Sequence, residues 1–221
     1  MIEGPAVADF QRLFLDTWKR QKGEELPERT YFPKLPPQGD EVVRVIGSTP
    51  RRDHPAFYIT LLSAIRTSES RIWITNSYFA PTEEEVQDLI AAGKRGVDVR
   101  LILQGETDAP KVRDAARSHY ADLLAGGVKI FEMQDAILHA KTAVIDGVWS
   151  AVGSSNIDAR SVVFNDEVDA IVLGRTTGAL LEKDFERDVG SSREIDAKTW
   201  SRRPLWHKVK EFFSRFWAPL L

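Results

Sequence analysis

Apolar and polar positions along this chain follow two periods, and the change from one to the other marks its elements. Glu41–Ile46 (EVVRVI), Arg71–Ser77 (RIWITNS), Asp98–Leu103 and Lys129–Met133 are short apolar or alternating runs, which predicts strands. Between them His54–Thr67 places Phe57, Leu61, Leu62 and Ile65 on one helical face. Pro81–Ala92 reads as a helix opened by Pro81-Thr82, with Glu83, Glu84 and Glu85 in the first turn, where the macrodipole favours acids. Lys111–Ala125 reads as a helix stopped by Gly126-Gly127; Glu167–Leu173 reads as a strand and Thr177–Val189 as a closing helix. Strands alternating with helices predict an α/β sandwich whose central sheet is mixed and mostly parallel, over residues 41–192.

Both ends of the chain depart from this alternation. Ala6–Arg20 is amphipathic, with Val7, Phe10, Leu13, Phe14 and Trp18 apolar, and Met1-Ile2-Glu3-Gly4 before it echoes Val172-Leu173-Gly174 before the helix at 177–189. Residues 1–22 therefore read as the closing element of a preceding half that is expected to be missing. Residues 23–40, with Pro27, Pro33, Pro36 and Pro37, read as a linker. In the tail, 201–221, Leu205, Trp206, Val209, Phe212, Phe213, Phe216, Trp217 and Leu220 fall on one helical stripe, with His207, Lys208, Lys210 and Arg215 off it. A helix with Trp and Phe on one face and Lys and Arg on the other suits a membrane interface carrying anionic lipid.

Charge sharpens that division. The chain carries a net charge of −3, yet its last 21 residues alone carry +4, so the first 200 residues carry −7. A basic body is the footprint of a general nucleic-acid binder, so nucleic acid is not an expected partner. With no cysteine, neither a disulfide nor a thiolate metal site exists. No apolar run approaches the roughly 20 residues of a membrane span, and no segment reads as a signal peptide.

The candidate chemistry lies in His139–Asn156, HAKTAVIDGVWSAVGSSN. Apolar, β-prone flanks around Asp146-Gly147 predict a hairpin with a tight Asp-Gly turn. His139 and Lys141, two residues apart in an extended segment, share a face. The hairpin would gather an imidazole, an ammonium and the Ser154/Asn156 pair near one end of a sheet, a set suited to binding a phosphate and attacking it.

The spacing H-x-K-x4-D-x6-G-S-x-N, with Asn165 and Glu167 further on, resembles the signature of the phospholipase D superfamily and matches it at every fixed position. NSYFAP at 76–81, GGVKIFE at 126–132, HAKTAVIDGVWSAVGSSNIDARS at 139–161, NDEV at 165–168, the opening IxGPAVxxFQxxFxxxW pattern and the basic aromatic tail resemble the second half of bacterial cardiolipin synthases. The resemblance implies an α/β/α sandwich of phospholipase D type that bears one signature, in a family whose active site forms between two. A second signature-bearing half, as a homodimer or a separate chain, is the implied protein partner.

The implied reaction moves a phosphatidyl group between phosphatidylglycerol molecules through a phosphohistidine. A neutral imidazole attacks phosphorus, a second group protonates the leaving alkoxide, Lys141 offsets phosphoryl charge, and Ser154 and Asn156 donate to the same oxygens. Glu167 is expected, by resemblance, to accept from the far ring nitrogen of a motif histidine. The catalytic set is then His139, Lys141, Asp146 and Glu167, with Asp146 at the hairpin turn in a structural rather than a base role. Phosphate binding falls to Lys141, Ser154 and Asn156, with no metal and no cofactor. Trp206, Phe212, Phe213, Phe216 and Trp217 form the membrane contact, placing the protein at the inner face of the bacterial cytoplasmic membrane. The competing readings are a homodimeric phosphodiesterase or nuclease and a membrane-binding half-domain without turnover.

Overall fold

The computed structural model describes residues 1–49, 55–134 and 136–204. His54 and the tail residues Trp206, Phe212, Phe213, Phe216 and Trp217 lie outside them. In chain order the elements are α1 (Val7–Arg20), β1 (Val42–Ser48), α2 (Ala56–Thr67), β2 (Arg71–Asn76), β3 (Phe79–Ala80), α3 (Glu83–Lys94), β4 (Asp98–Gln104), α4 (Pro110–Ala125) and β5 (Lys129–Met133). There follow β6 (Lys141–Ile145), β7 (Trp149–Gly153), β8 (Ile157–Asp158), α5 (Ala159–Val163), β9 (Glu167–Leu173), α6 (Arg175–Gly190), β10 (Ser192–Glu194) and α7 (Ala197–Ser201).

Eight strands form one sheet in the order β1-β9-β7-β6-β2-β4-β5-β10, and β3 pairs with β8 in a separate two-stranded piece. The sheet is mixed as expected, but antiparallel pairing predominates. Only β2–β4 and β4–β5 are parallel, whereas β1–β9, β9–β7, β7–β6, β6–β2 and β5–β10 are antiparallel. The expectation of a mostly parallel sheet extended the β2-α3-β4-α4-β5 crossover pattern to the whole chain. After β5 the chain crosses to the far side of β2 and enters β6 antiparallel to it, and the β6–β7 hairpin and the β7–β9 connection continue the antiparallel pairing.

Period-two alternation sends successive side chains into two cores. Ile72 and Ile74 of β2, Val99, Leu101 and Leu103 of β4, and Ala143 and Ile145 of β6 meet Leu61 and Ile65 of α2, Val86 and Leu89 of α3, and Tyr120 and Leu123 of α4. The intervening Trp73, Ile102 and Val144 face Leu181, Phe185 and Val189 of α6 on the other side. Trp73 stacks on Phe185 at 5.2 Å. Helices on both faces of the sheet make the α/β/α sandwich.

Thr82 caps α3 in a full capping box with Glu85, which explains the start at Glu83 rather than at Pro81. The folded unit also runs past residue 192: β10 adds an edge strand beside β5, and Trp200 of α7 packs on Tyr120 at 4.9 Å. A three-residue strand is too short to show alternation in the sequence.

Glu132 on β5 is fully buried, yet it carries a carboxylate. Arg117 of α4 grips it bidentately at 2.8 and 2.9 Å, and Arg193 of β10 adds a bond of 2.8 Å. Arg117 is the more enclosed cation, its side chain 24% exposed against 61% for Arg193. Removing Arg117 leaves a buried carboxylate with one solvated guanidinium and a long bond of 3.4 Å from the Tyr120 hydroxyl. Arg117→Met is expected to destabilise the fold by about 3 kcal/mol, and Arg193→Met by about 1 kcal/mol or less; urea unfolding midpoints of the two variants test the contrast.

Candidate active site

The strands β2 and β7 end, and β6 and β9 begin, at one edge of the sandwich, so their loops converge there. His139 lies in the extended, exposed segment just before β6, and Lys141 is the first residue of that strand. The Lys141 ammonium spends its three protons on Ser77 Oγ at 2.6 Å, the His139 carbonyl at 3.0 Å and His139 Nδ1 at 3.3 Å. Partial burial lowers the Lys141 pKa, and the nearby Glu167 and Asp158 carboxylates oppose that shift. Among the described residues Nε2 of His139 makes no hydrogen bond, which leaves it open to an incoming group.

Ser77, at the end of β2, passes the network on. Its hydroxyl donates to Asn156 Oδ1 at 2.9 Å, which also accepts from the Tyr78 backbone N–H at 3.3 Å. The carbonyl end of the Asn156 amide is thereby committed. Its NH2 group has no partner among the described residues and is a free pair of donors beside Lys141.

The turn after β7 depends on close approach to β9. A Cβ on Gly153 would stand 2.0 Å from Asp169 Oδ1 and 2.6 Å from the Val168 carbonyl, so only glycine fits. Ser154 then donates to Glu167 at 2.5 Å and accepts from the Val168 N–H at 2.9 Å. Ser154, expected to donate to phosphate, instead gives its hydroxyl proton to Glu167. That carboxylate also accepts from Ser161 Oγ at 3.1 Å and Asn165 Nδ2 at 2.9 Å. Among the described residues it makes no hydrogen bond to His139 of its own chain.

Asp146 sits at the other end of β6, about 17 Å of extended chain from Lys141. It takes φ 53° and Gly147 φ 65°, the positive-φ pair of a tight Asp-Gly turn. Its carboxylate accepts from the backbone of Glu69, Ser70 and Arg71 and from the Ser70 hydroxyl, all at 2.8–2.9 Å. Burial would raise its pKa, but these bonds hold it below the usual carboxylate range. Asp146 is therefore a brace between the hairpin and β2, and of the expected catalytic set it alone lies away from the site.

Several site residues carried no signal in the motif. Ser77 and Tyr78 belong to NSYFAP, and Asp108 to the β4–α4 loop, where its carboxylate accepts from the Tyr78 hydroxyl at 2.9 Å. Asp169 holds Ser155, the variable position of the turn, through its hydroxyl at 2.5 Å and its N–H at 3.3 Å. Burial pushes Asp169 up to about 6 and Glu85 up to about 7. Glu85 of α3 lines a small cleft with Ser155, Asn156, Ile157 and Ser161, so two buried carboxyls support the loop that presents Asn156. Among the described residues no group of His, Asp and Glu side chains is placed to hold a metal ion.

A mixed sheet between helices, with a His-x-Lys strand and a Gly-Ser-x-Asn turn meeting at one edge, is the architecture of a phospholipase D-like half. The family model described as "Cardiolipin synthase, PLD-like domain" matches residues 61–189, and the chain belongs to that family. Cardiolipin synthase A of Yersinia pseudotuberculosis and that of Yersinia pestis are each 31% identical over 224 residues, which takes in all of this chain and 46% of theirs. The chain thus spans about half the length of these relatives. Among solved structures, the phospholipase D family member Nuc from Salmonella typhimurium aligns with TM-score 0.61 at 20% identity, over 71% of this chain and 99% of that one. Phosphatidylserine synthase from Haemophilus influenzae aligns with TM-score 0.63 at 12% identity, over 86% and 49%. At those identities the likeness is one of fold.

Glu85 and Asp169 keep a proton in the folded chain at pH values where the unfolded chain has released it. Their contribution to stability is therefore greatest near pH 4 and falls as pH rises through 6 to 7. Glu85→Gln is expected to remove about 2–3 kcal/mol of that fall, read as the difference in urea unfolding free energy between pH 5 and pH 8. Asp146→Ala is expected to destabilise by about 2 kcal/mol or more through its orphaned N–H groups. The loss should be read as a lower urea unfolding midpoint, with the circular dichroism spectrum of the folded protein unchanged.

Proposed function

We propose that this chain supplies one signature-bearing half of a phosphatidyltransferase of cardiolipin synthase type. The observation that carries the reading is the meeting of His139, Lys141 and the free amide of Asn156 at one strand edge, in a chain matched along its whole length by cardiolipin synthases. The Nε2 lone pair of a motif histidine, from this half or the second, attacks the phosphorus of one phosphatidylglycerol, the bond to glycerol breaks, and an acid protonates the departing alkoxide. The hydroxyl of a second phosphatidylglycerol then attacks phosphorus. It gives its proton to the conjugate base of that acid and breaks the N–P bond, releasing cardiolipin. The Asn156 NH2 group donates to the phosphoryl oxygens, and the Lys141 ammonium, its protons committed to Ser77 and His139, offsets their charge electrostatically; that preset arrangement is what stabilises the pentavalent charge.

Within this reading Glu167 orients the imidazole of a motif histidine, and Ser154, Ser161 and Asn165 orient Glu167. The second half comes from another copy or a separate chain. The basic aromatic tail seats the protein on anionic lipid at the inner face of the cytoplasmic membrane. Among the described residues no helix is long and apolar enough to cross a bilayer.

Incubation with phosphatidylglycerol vesicles, followed by lipid mass spectrometry, is expected to show cardiolipin and free glycerol. His139→Ala should lower the yield by about 10³-fold or more. Cleavage of DNA with no cardiolipin formed would overturn the phosphatidyltransferase reading. Sedimentation of the active species tests the second half: a strict monomer that still formed cardiolipin would refute it.

A further inference from the structure

The Tyr78 side chain touches both reactive groups of the site, yet it lies outside the signature. Its ring stands edge-on to the His139 imidazole, 6.2 Å between centroids at 74°, and the Lys141 ammonium lies 5.9 Å from the ring centroid. Its hydroxyl donates to Asp108 at 2.9 and 3.2 Å. Its backbone N–H donates to Asn156. One residue thus joins the β2–β3 segment, the β4–α4 loop and the turn after β7 to the pair that does the chemistry.

His139 needs such a support. It is exposed, precedes its strand rather than lying in it, and among the described residues its ring is held only by a 3.3 Å bond from Lys141 and by Tyr78. A hydrogen bond of that length fixes a ring weakly. An aromatic edge adds a second constraint, and the ring face attracts the neighbouring cation. The Tyr78 ring could itself rotate about its side-chain bonds; the bond to the Asp108 carboxylate prevents it. Desolvation, then the Asp108 carboxylate, raises the Tyr78 pKa, so the hydroxyl keeps the proton it donates.

We infer that Tyr78 and Asp108 form a clasp that positions the His139 imidazole and the Lys141 ammonium for reaction with a phosphodiester. Neither is a catalytic residue; Tyr78 acts through His139 and Lys141, and Asp108 acts through Tyr78. The inference rests on the phosphatidyltransferase reading only for its substrate. Misplacing a reacting group by about 1 Å can lower a rate about a hundredfold, so the ring and the hydroxyl should have separable effects.

Tyr78→Phe keeps the ring and loses the clasp, and Asp108→Ala loses the same bond from the other side. Each is expected to lower kcat about fivefold with KM unchanged, and the double variant should lose no more than either single one. Asp108→Asn still accepts from the hydroxyl and should restore most of the rate. Tyr78→Leu removes the ring and is expected to lower kcat about a hundredfold. The first two variants alter a half-buried residue, Tyr78, and an exposed one, Asp108, so unchanged thermal melting confirms that they fold.

A second measurement needs no turnover and so separates failure of this inference from failure of the phosphatidyltransferase reading. The chain has four histidines, His54, His119, His139 and His207, few enough to assign each ring by substitution. Relaxation of the His139 Cε1–H bond in the full chain should report a rigid ring in the parent and a mobile one in Tyr78→Leu. An equally rigid His139 ring in Tyr78→Leu, or losses in the double variant that multiply, would overturn the clasp.

Discussion

The site is organised around an ammonium that is partly withdrawn from water. Desolvation lowers the pKa of Lys141, and a buried cation persists only where its protons are accepted. All three are: by Ser77, by the His139 carbonyl and by His139 Nδ1. Those acceptors come from the end of β2 and from the segment before β6, and Ser77 continues to Asn156 beyond β7. Satisfying one charge therefore sets the relative positions of three loops. His139, Lys141 and Asn156 are placed by the same few bonds.

This arrangement also explains the spacing of the signature. The four residues between Lys141 and Asp146 are the remainder of strand β6, Thr142–Ile145. The six between Asp146 and Gly153 make the turn residues 147 and 148 and then β7 up to its last position. The pattern is thus one hairpin traversed out and back. Asp146 anchors the far end to Glu69, Ser70 and Arg71, fixing the register of β6 against β2. A one-residue slip there would turn Lys141 away from Ser77. Asp146 belongs in the motif because register, rather than proton transfer, demands it.

What was legible in the sequence follows the range of the interactions. The hairpin, its Asp-Gly turn and the shared side of His139 and Lys141 are local, and they could be read from alternation and spacing. The partners of the Asn156 carbonyl were not readable, because Ser77 and Tyr78 lie some 80 residues earlier. The bond from the Ser154 hydroxyl to Glu167 was not readable for the same reason: its partner arrives on another strand. Asp108 gave no signal at all, being a loop residue whose meaning lies in contact with Tyr78. Strand direction was not readable after β5, where β6 enters antiparallel to β2. After β5 an apolar run looks the same whether the chain enters it by crossover or by hairpin. The two-residue β3 and β8 are shorter than any period.

The proton inventory bears on how much of a reaction one half can run. Departure of an alkoxide calls for an acid, and attack calls for a neutral imidazole; one ring cannot begin the first step in both states. Of the four histidines, His139 stands at the described site, whereas His119 on α4 is 97% buried in the core. His54 and His207 lie outside the described residues. Glu167 is held by three donors of its own loop segment, Ser154, Ser161 and Asn165, so its orientation is set without the imidazole it is proposed to serve. Meanwhile Nδ1 of His139 faces an ammonium that can only donate to it. A neutral ring accepting at Nδ1 carries its proton on Nε2, the form suited to protonating a leaving group; attack through Nε2 needs the proton on Nδ1 and a carboxylate to accept it. The described site thus presents one histidine and one carboxylate that do not meet within the chain, which is the arrangement expected under the proposal that each has its counterpart in a second half.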